Sequence, residues 1–146
     1  MQTRSYVLLM LVFLFIGLAC GKSPVKVDND PPVLSNLVAP DTVSRSQIPN
    51  NFLLAVEVSD PQGRDDISKV YFNTFKPDNS PSSGNPFYMR DDGSQGVDQN
   101  ANDGIYSLRI EISPQNQLGN YRFEFEAVDK SGAKSDKITH IITVVE

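Results

Sequence analysis

The stretch Tyr121–Ala127, with the sequence YRFEFEA, decides the fold class of this chain. Apolar and charged residues alternate along it without a break. Successive side chains of a β-strand point to opposite faces of a sheet, so this period of two predicts a strand with one face in a core and the other in water. The rest of the fold is predicted by following the same period outward in both directions.

The period of two recurs at Tyr106–Ile112 and along Leu54, Val56 and Val58, while Gly, Pro, Asn and Asp clusters separate these runs. No stretch after Val33 carries a convincing helical stripe. Together these patterns predict an all-β fold, a single antiparallel sandwich of seven strands, with a closed barrel as the alternative. The predicted strands are Leu34–Val38, Leu53–Val58, Val70–Phe72, Pro86–Met89, Tyr106–Ile112, Tyr121–Ala127 and Lys137–Val145.

Three segments carry a resemblance to a known group of domains. Pro32–Leu37, Leu54–Asp60 and Gly119–Gly132 resemble the first, second and sixth strands of bacterial immunoglobulin-like, fibronectin type III-like or cadherin-like modules. The resemblance implies an immunoglobulin-like β-sandwich over residues 32–146. It also places Tyr121 where such folds have a tyrosine corner, although a core aromatic at the start of a strand explains that residue equally well.

The N-terminus has the layout of a cleavable export signal. Arg4 provides a positive start, Tyr6–Ala19 carries no charge, and the only cysteine follows at Cys20. The apolar run is shorter than the roughly 20 residues that a membrane-spanning helix needs. Residues 1–19 are therefore predicted to be a signal peptide, and the polar residues 20–31 a flexible linker. The cysteine that follows the signal is either modified or, if the signal is an ordinary secretory one, left as a free thiol.

The residues around the cysteine add a second resemblance. Ile16–Cys20 resembles the lipobox of bacterial lipoproteins, although Gly17 stands where that motif usually has leucine. The resemblance implies that Cys20 is lipidated and becomes the mature N-terminus. Gly21 after the cysteine implies sorting to the outer membrane, by analogy with Gram-negative lipoproteins. We therefore expect a lipid-anchored protein of the bacterial cell envelope, whose partners include the membrane itself.

One loop concentrates the hard oxygen ligands that calcium prefers. It runs from Asp91 to Gly104, contains no Lys or Arg, and has the spacing of the first ligands of an EF-hand before the match fails at Asp103. Two interpretations remain open, a structural calcium site and a set of turn-forming residues that bond their own backbone. The predicted ligands are Asp91, Asp92, Asp98, Asn100, Asn102 and Asp103.

The composition argues against several classes of function. The net charge of −5 and the scattered Lys and Arg disfavour nucleic acid as a partner. The single histidine, His140, lies in a predicted strand, where a half-buried structural role is expected, and no phosphate-binding loop is present. The glutamates Glu57, Glu111, Glu124 and Glu126 are expected on solvated strand faces. We therefore predict that the protein is not an enzyme and requires no cofactor.

The leading functional hypothesis is a non-catalytic envelope lipoprotein whose immunoglobulin-like domain serves in adhesion, assembly or protein interaction. Its partner would be an envelope protein or a surface glycan. The alternative is a carbohydrate-binding module, in which exposed and roughly coplanar aromatic rings would stack on sugars. The candidate rings are Tyr71, Phe75, Phe87 and Tyr88.

Overall fold

The computed structural model describes residues 28–146. The predicted signal peptide, Cys20 and most of the predicted linker lie outside the described residues. Within residues 28–146, the only helical element is a short 3-10 turn at Arg64–Asp66, and no helix is long and apolar enough to cross a membrane. The strands are β1 (Val33–Val38), β2 (Thr42–Ser44), β3 (Asn51–Ser59), β4 (Ile67–Phe75), β5 (Phe87–Tyr88), β6 (Ile105–Glu111), β7 (Gly119–Asp129) and β8 (Ile138–Val145).

The strands form two sheets that face each other as a sandwich. One sheet has three strands in the order β1-β3-β6, and the other has five in the order β2-β8-β7-β4-β5. The predicted all-β sandwich is therefore confirmed. The structure adds the short strand β2, which pairs in parallel with β8. Strand β2 was not predicted because three residues are too few to show an alternating pattern. Its pairing also depends on β8, which lies about a hundred residues later in the chain.

Strand β7 lies inside the larger sheet, between β4 and β8, and its apolar face forms the centre of the core. Tyr121 is 8% exposed, Phe123 5%, and Phe125 and Ala127 0%. Phe125 packs against Phe72 of β4 with ring centroids 5.2 Å apart. Burying an aromatic or aliphatic side chain of this size contributes about 1.5–3 kcal/mol, so this alternating face supplies much of the stability.

Tyr121 belongs to the core rather than to a hydrogen-bonded corner. Its ring contributes to the buried cluster that also contains Val43 and Ile142. Among residues 28–146, its hydroxyl group makes no hydrogen bond to a preceding turn. Of the two interpretations of Tyr121, the structure therefore favours the core aromatic.

The strand order divides the loops between two ends of the sandwich. The N-terminal end holds residues 28–32 and the loops at 60–66, 89–104 and 130–137. The distal end holds the loops at 45–50, 76–86 and 112–118. Residues from distant parts of the sequence therefore meet at each end.

Candidate functional site

The acidic loop between β5 and β6 brings three of its six predicted calcium ligands together at the N-terminal end. One carboxylate oxygen from each of Asp91, Asp98 and Asp103 lies within 4.8 Å of the others. Asp98 is buried, with 5% exposure, while the other two are partly exposed. We call these three residues the loop cluster.

Backbone N–H groups already use the carboxylates of the loop cluster. The two oxygens of Asp91 accept hydrogen bonds from the N–H groups of Asp103 (3.1 Å) and Gly104 (2.9 Å). Asp98 Oδ2 accepts one from Gly93 (2.7 Å). Carboxylates that bond nearby backbone in this way hold turns together without a metal, which is what the turn-forming interpretation requires. Calcium binding by this loop stays a prediction.

The other three predicted ligands make different contacts. Asp92 accepts a hydrogen bond from the N–H of Ser94 (3.0 Å), and its other oxygen lies 3.8 Å from Arg90. Asn100 donates its side-chain N–H towards Asp103 (3.4 Å). The backbone carbonyl oxygen of Asn102 accepts a hydrogen bond from the Arg64 guanidinium at 2.6 Å. The structure therefore gathers the three aspartates of the loop cluster, places the Asn100 side chain beside Asp103, and directs Asp92 to Ser94 and Arg90 instead.

Gly104 fixes the end of this loop against strand β3. Its φ angle is +90°, and its carbonyl oxygen accepts the N–H of Val58 at 2.8 Å. A Cβ atom at this position would lie 3.3 Å from the carbonyl oxygen of Val58. Only glycine combines this backbone conformation with so close an approach at little cost.

A second group of carboxylates, which the sequence analysis missed, lies at the same end of the sandwich. One carboxylate oxygen from each of Asp60, Asp66 and Asp129 lies within 4.8 Å of the others. Asp60 follows β3, Asp66 precedes β4 and Asp129 ends β7, and the antiparallel order brings these three strand ends together. We call these residues the strand-end cluster.

Asp129 is the most buried member of the strand-end cluster, with 2% exposure. Its Oδ2 accepts a hydrogen bond from the side chain of Asn29 (2.5 Å), and its Oδ1 accepts bonds from Ser131 Oγ and the N–H of Ala133 (2.8 Å each). The bond from Asn29 is the main cause that lowers the pKa of the Asp129 carboxyl, and the bond from Ser131 adds to it. Asp129 therefore remains ionised near neutral pH.

Asp60 contains an oxygen that has no partner. Its Oδ1 accepts a hydrogen bond from the N–H of Gln62 at 2.8 Å. Its Oδ2 is buried and has no hydrogen-bond partner among the described residues. Across residues 28–146, no Lys, Arg or His forms a salt bridge with any member of the strand-end cluster. Buried polar atoms normally have a partner, so Oδ2 requires an explanation.

The four candidate glycan-binding rings do not form an exposed platform. Phe87 stacks on the buried ring of Phe72, with centroids 5.3 Å apart. Tyr71 and Tyr88 meet edge to face at 64°, and the guanidinium of Arg122 covers the ring of Phe75 at 4.1 Å. Of the four, only Tyr88 is largely exposed, with 54% exposure. This geometry does not favour stacking on a sugar.

Glu126 was predicted to lie on a solvated face, but it is buried, with 6% exposure. It accepts a hydrogen bond from the Tyr71 hydroxyl and forms an ion pair with Lys134 at 2.8 Å. Burial raises the pKa of Glu126, but the bonds from Lys134 and Tyr71 outweigh it, and the net pKa is lowered. Burial also raises the pKa of Tyr71, and the neighbouring Glu126 adds to that rise. The sequence pattern placed Glu126 on the correct face but could not identify its partners.

His140 is half-buried, as predicted, with a side chain that is 24% exposed. Its Nε2 lies 3.1 Å from the carbonyl oxygen of Pro40 and 3.5 Å from Asp41 Oδ1. These contacts join β8 to the segment before β2, which is a structural role.

At the distal end, an apolar cleft of about 710 Å³ opens between the two sheets. The residues of the larger sheet that line it belong to the core and are almost fully buried, such as Phe72 at 0% and Ile142 at 1% exposure. The size is within the range of about 300–1,000 Å³ for ligand-binding pockets. The apolar side chains that line it are Val43, Phe52, Phe72, Phe87, Leu108, Ile110, Ile112, Tyr121, Phe123, Ile142 and Val144.

Strand β6 forms one border of this cleft and an edge of the smaller sheet. Ser107 exchanges two backbone hydrogen bonds with Arg90, at 3.0 and 2.7 Å. The alternation of an antiparallel ladder then directs the N–H and C=O groups of Arg109 and Glu111 outward, away from β3. In the described part of the chain, no further strand lies beside β6 at these two residues. An unpaired edge of this kind can pair with an added strand.

Comparisons with known proteins identify the fold. No family model matches the chain, and no curated protein matches it significantly. The GspB Siglec domain matches with a TM-score of 0.52 and 14% identity, over 81% of this chain and 59% of that one. The SrpA adhesin from Streptococcus sanguinis matches with a TM-score of 0.51 and 16% identity, over the same shares of the two chains. The PKD domain of an M14-like peptidase from a Thermoplasmatales archaeon matches with a TM-score of 0.49 and 14% identity, over 82% of this chain and all of that one.

Identities this low show the fold alone. The two-sheet arrangement, the strand order and these structural matches agree with one another. The chain folds as an immunoglobulin-like β-sandwich.

Proposed function

We propose that this protein is a non-catalytic module of the bacterial cell envelope, anchored by a lipid on Cys20, that binds a protein partner at the distal end of its sandwich. The anchor is supported by the signal-like N-terminus and its resemblance to a lipobox. The binding role is supported by the apolar cleft and the open edge of β6.

The observation that carries the proposal is the separation of the two ends. The first described residues, Asp28–Pro32, lie at the N-terminal end, where Asn29 bonds to Asp129. The cleft lies at the other end, beside the loops at 76–86 and 112–118. A domain held by its N-terminus at a membrane would therefore direct the cleft away from that membrane.

The chemistry of the distal end favours an extended peptide segment as the ligand. Arg109 and Glu111 offer outward N–H and C=O groups for pairing with an added strand, and Leu108 and Ile110 line the cleft next to that edge. A strand with alternating apolar side chains would satisfy both features at once, because every second residue would enter the cleft. Ile48 and Leu118, which are 96% and 45% exposed, provide further apolar surface on the distal loops.

A proline substitution tests this mode of binding. Glu111→Pro removes an N–H that points away from β3, so the fold should tolerate it, as edge strands generally tolerate proline. A displayed library of short, extended peptides would be selected against the purified full chain. We expect peptides with alternating apolar residues to be enriched, to bind Glu111→Ala normally, and to lose at least tenfold in affinity for Glu111→Pro. Equal binding to the two variants, or no enrichment, would rule out strand addition at β6.

Mass spectrometry of the mature N-terminus tests the anchor separately. We expect the mature chain to begin at Cys20 with added acyl mass and to remain in the membrane fraction. Cys20→Ser should release the protein into the soluble fraction. An unmodified thiol on a freely soluble wild-type protein would contradict the anchor and leave the peptide-binding test unaffected.

The carbohydrate-binding alternative has less support. Its four rings are stacked on the core, tilted against each other or covered by Arg122, rather than exposed in one plane. No specific observation on the described residues favours it over protein binding.

A further inference from the structure

We propose that Asp60, Asp66 and Asp129 bind a calcium ion at the N-terminal end of the sandwich, and that this ion fixes the linker to the domain. The site differs from the acidic loop that the sequence singled out. It is formed by residues separated by up to 69 positions in the chain, as the numbering shows.

The strand-end cluster concentrates negative charge in a small space. Three carboxylates place one oxygen each within 4.8 Å of the others, and no basic side chain among residues 28–146 pairs with any of them. Calcium holds its oxygen ligands at about 2.3–2.6 Å, so oxygens on opposite sides of one ion are separated by about 5 Å. The spacing of the strand-end cluster fits a single shared ion.

One oxygen of the strand-end cluster lacks a partner among the described residues. Asp60 Oδ2 is buried from solvent and accepts no hydrogen bond from the described residues. Leaving a buried acceptor unsatisfied is costly, and more so when it is charged. A cation held between Asp60 and its two neighbours would satisfy this oxygen and offset the repulsion among the three carboxylates.

The Gln62 amide links Asp60 to the backbone of Asp30. In one orientation of the Gln62 amide, its nitrogen lies 2.9 Å from Asp60 Oδ1 and 3.0 Å from the carbonyl oxygen of Asp30. In this orientation both polar atoms of the amide have partners, and Asp60 Oδ2 still has none. The three carboxylates and the Asp30 carbonyl group offer oxygens, which are the ligands of a hard cation such as calcium, and water can complete the six to eight ligands that calcium takes.

An ion at this site would hold the last linker residues against the domain. Asn29 donates to Asp129, and the Asp30 backbone lies beside Gln62, so the last linker residues already touch this end. An ion that holds Asp60, Asp66 and Asp129 in place would order these contacts. It would thereby limit the directions in which a tethered domain can point.

Calorimetric titration of the purified full chain with calcium chloride, after removal of metals, tests the proposal. We expect one binding event in the wild type, lost or weakened at least tenfold in both Asp60→Asn and Asp66→Asn. Asp98→Asn is the matched control, because it removes one charge from the loop cluster while keeping an acceptor for the Gly93 N–H. It should bind calcium as the wild type does.

Thermal unfolding provides a second readout. Calcium at a hundredfold excess over its dissociation constant should raise the Tm of the wild type and of Asp98→Asn by about 10 °C, and that of Asp60→Asn by much less. The proposal is overturned if the wild type binds no calcium, or if binding is lost in Asp98→Asn and kept in Asp60→Asn and Asp66→Asn.

Discussion

Two groups of three aspartates lie at the same end of this sandwich, and they differ in how their oxygens are used. In the loop cluster, Asp91 and Asp98 accept hydrogen bonds from the backbone of their own loop. In the strand-end cluster, Asp60 retains a buried oxygen without a partner in the described residues. Acidic residues that are close together in sequence can therefore serve as turn formers, while the cation site that we propose is built from residues that are far apart.

The comparison shows that spacing along the chain is a weak guide to metal binding in a β-sandwich. A local run of Asp, Asn and Gly readily bonds its own backbone. Asp60 and Asp129 also accept hydrogen bonds from nearby backbone N–H groups, but one buried oxygen of Asp60 has no partner in the described residues. Asp60 follows β3 and Asp129 ends β7, in different sheets, and their carboxylates meet only because of the strand order.

The largest effect is expected from removing the carboxylate of Asp91. Asp91→Ala leaves the N–H groups of Asp103 and Gly104 without their acceptor and should destabilise the fold by about 3 kcal/mol. The loss should be the same with calcium and with chelator, as judged by urea unfolding. Asp92→Ala, in an exposed neighbour outside the cluster, should change stability by less than about 0.5 kcal/mol. If the loss caused by Asp91→Ala appeared only in calcium, the loop cluster would be the metal site.

A smaller effect is expected where the loop meets strand β3. Gly104→Ala should cost about 1–2 kcal/mol, because alanine resists a positive φ and its Cβ would crowd the Val58 carbonyl. Gly96→Ala is the matched control, since Gly96 also has a positive φ, of 77°, but a Cβ there meets no atom within 4 Å. Thermal unfolding should show the smaller loss for Gly96→Ala. Equal losses would mean that the close approach to Val58 has no energetic weight.

The effect of Asp60→Asn on stability is expected to reverse between chelator and calcium. In chelator, Asp60→Asn removes one of three mutually repelling carboxylates and should stabilise the fold by up to about 1 kcal/mol. In saturating calcium, the same variant should be less stable than the wild type, because it binds the ion poorly. Parallel melts in the two buffers measure both values. A variant that is destabilised equally in both would indicate that Asp60 has a purely structural role.

The smallest effect concerns acid unfolding. The pKa of Asp129 in the folded protein is below its ordinary value of 3.8, so its contribution to stability is complete above pH 3.8 and is lost as the pH falls through the lower, folded-state pKa. Asp129→Asn should therefore flatten the decline of stability below pH 3.8 in calcium-free buffer. A pH series of urea midpoints would reveal this. An unchanged slope would mean that Asp129 has the same pKa in the folded and unfolded states.

The fold could be predicted from the sequence because its strands alternate clearly. Tyr121–Ala127 and the run Leu54, Val56 and Val58 bury the predicted faces, since one residue in two must enter the core. The short strand β2 could not be predicted, because Thr42–Ser44 pairs in parallel with a distant strand and has no pattern of its own. The fold class therefore depends on local periodicity, and the details of pairing depend on contacts that are distant in sequence.

The candidate sites were harder to predict for the same reason. The sequence identified the acidic loop but not which of its oxygens the backbone would use. Asp60 and Asp129 stand at the ends of strands that the sequence did predict, so an aspartate at each of several strand ends is the signal that could have revealed the strand-end cluster. The burial of Glu126 depends on Tyr71 and Lys134, which come from other segments of the chain.

Amide resonances recorded by NMR during a calcium titration would test the difference between the two clusters most directly, because they report on each loop separately. The account predicts that the resonances of residues 60–66 and 129–133 shift with calcium and saturate together, while those of residues 93–104 stay in place. Shifts confined to residues 93–104, or no shifts at all, would contradict it.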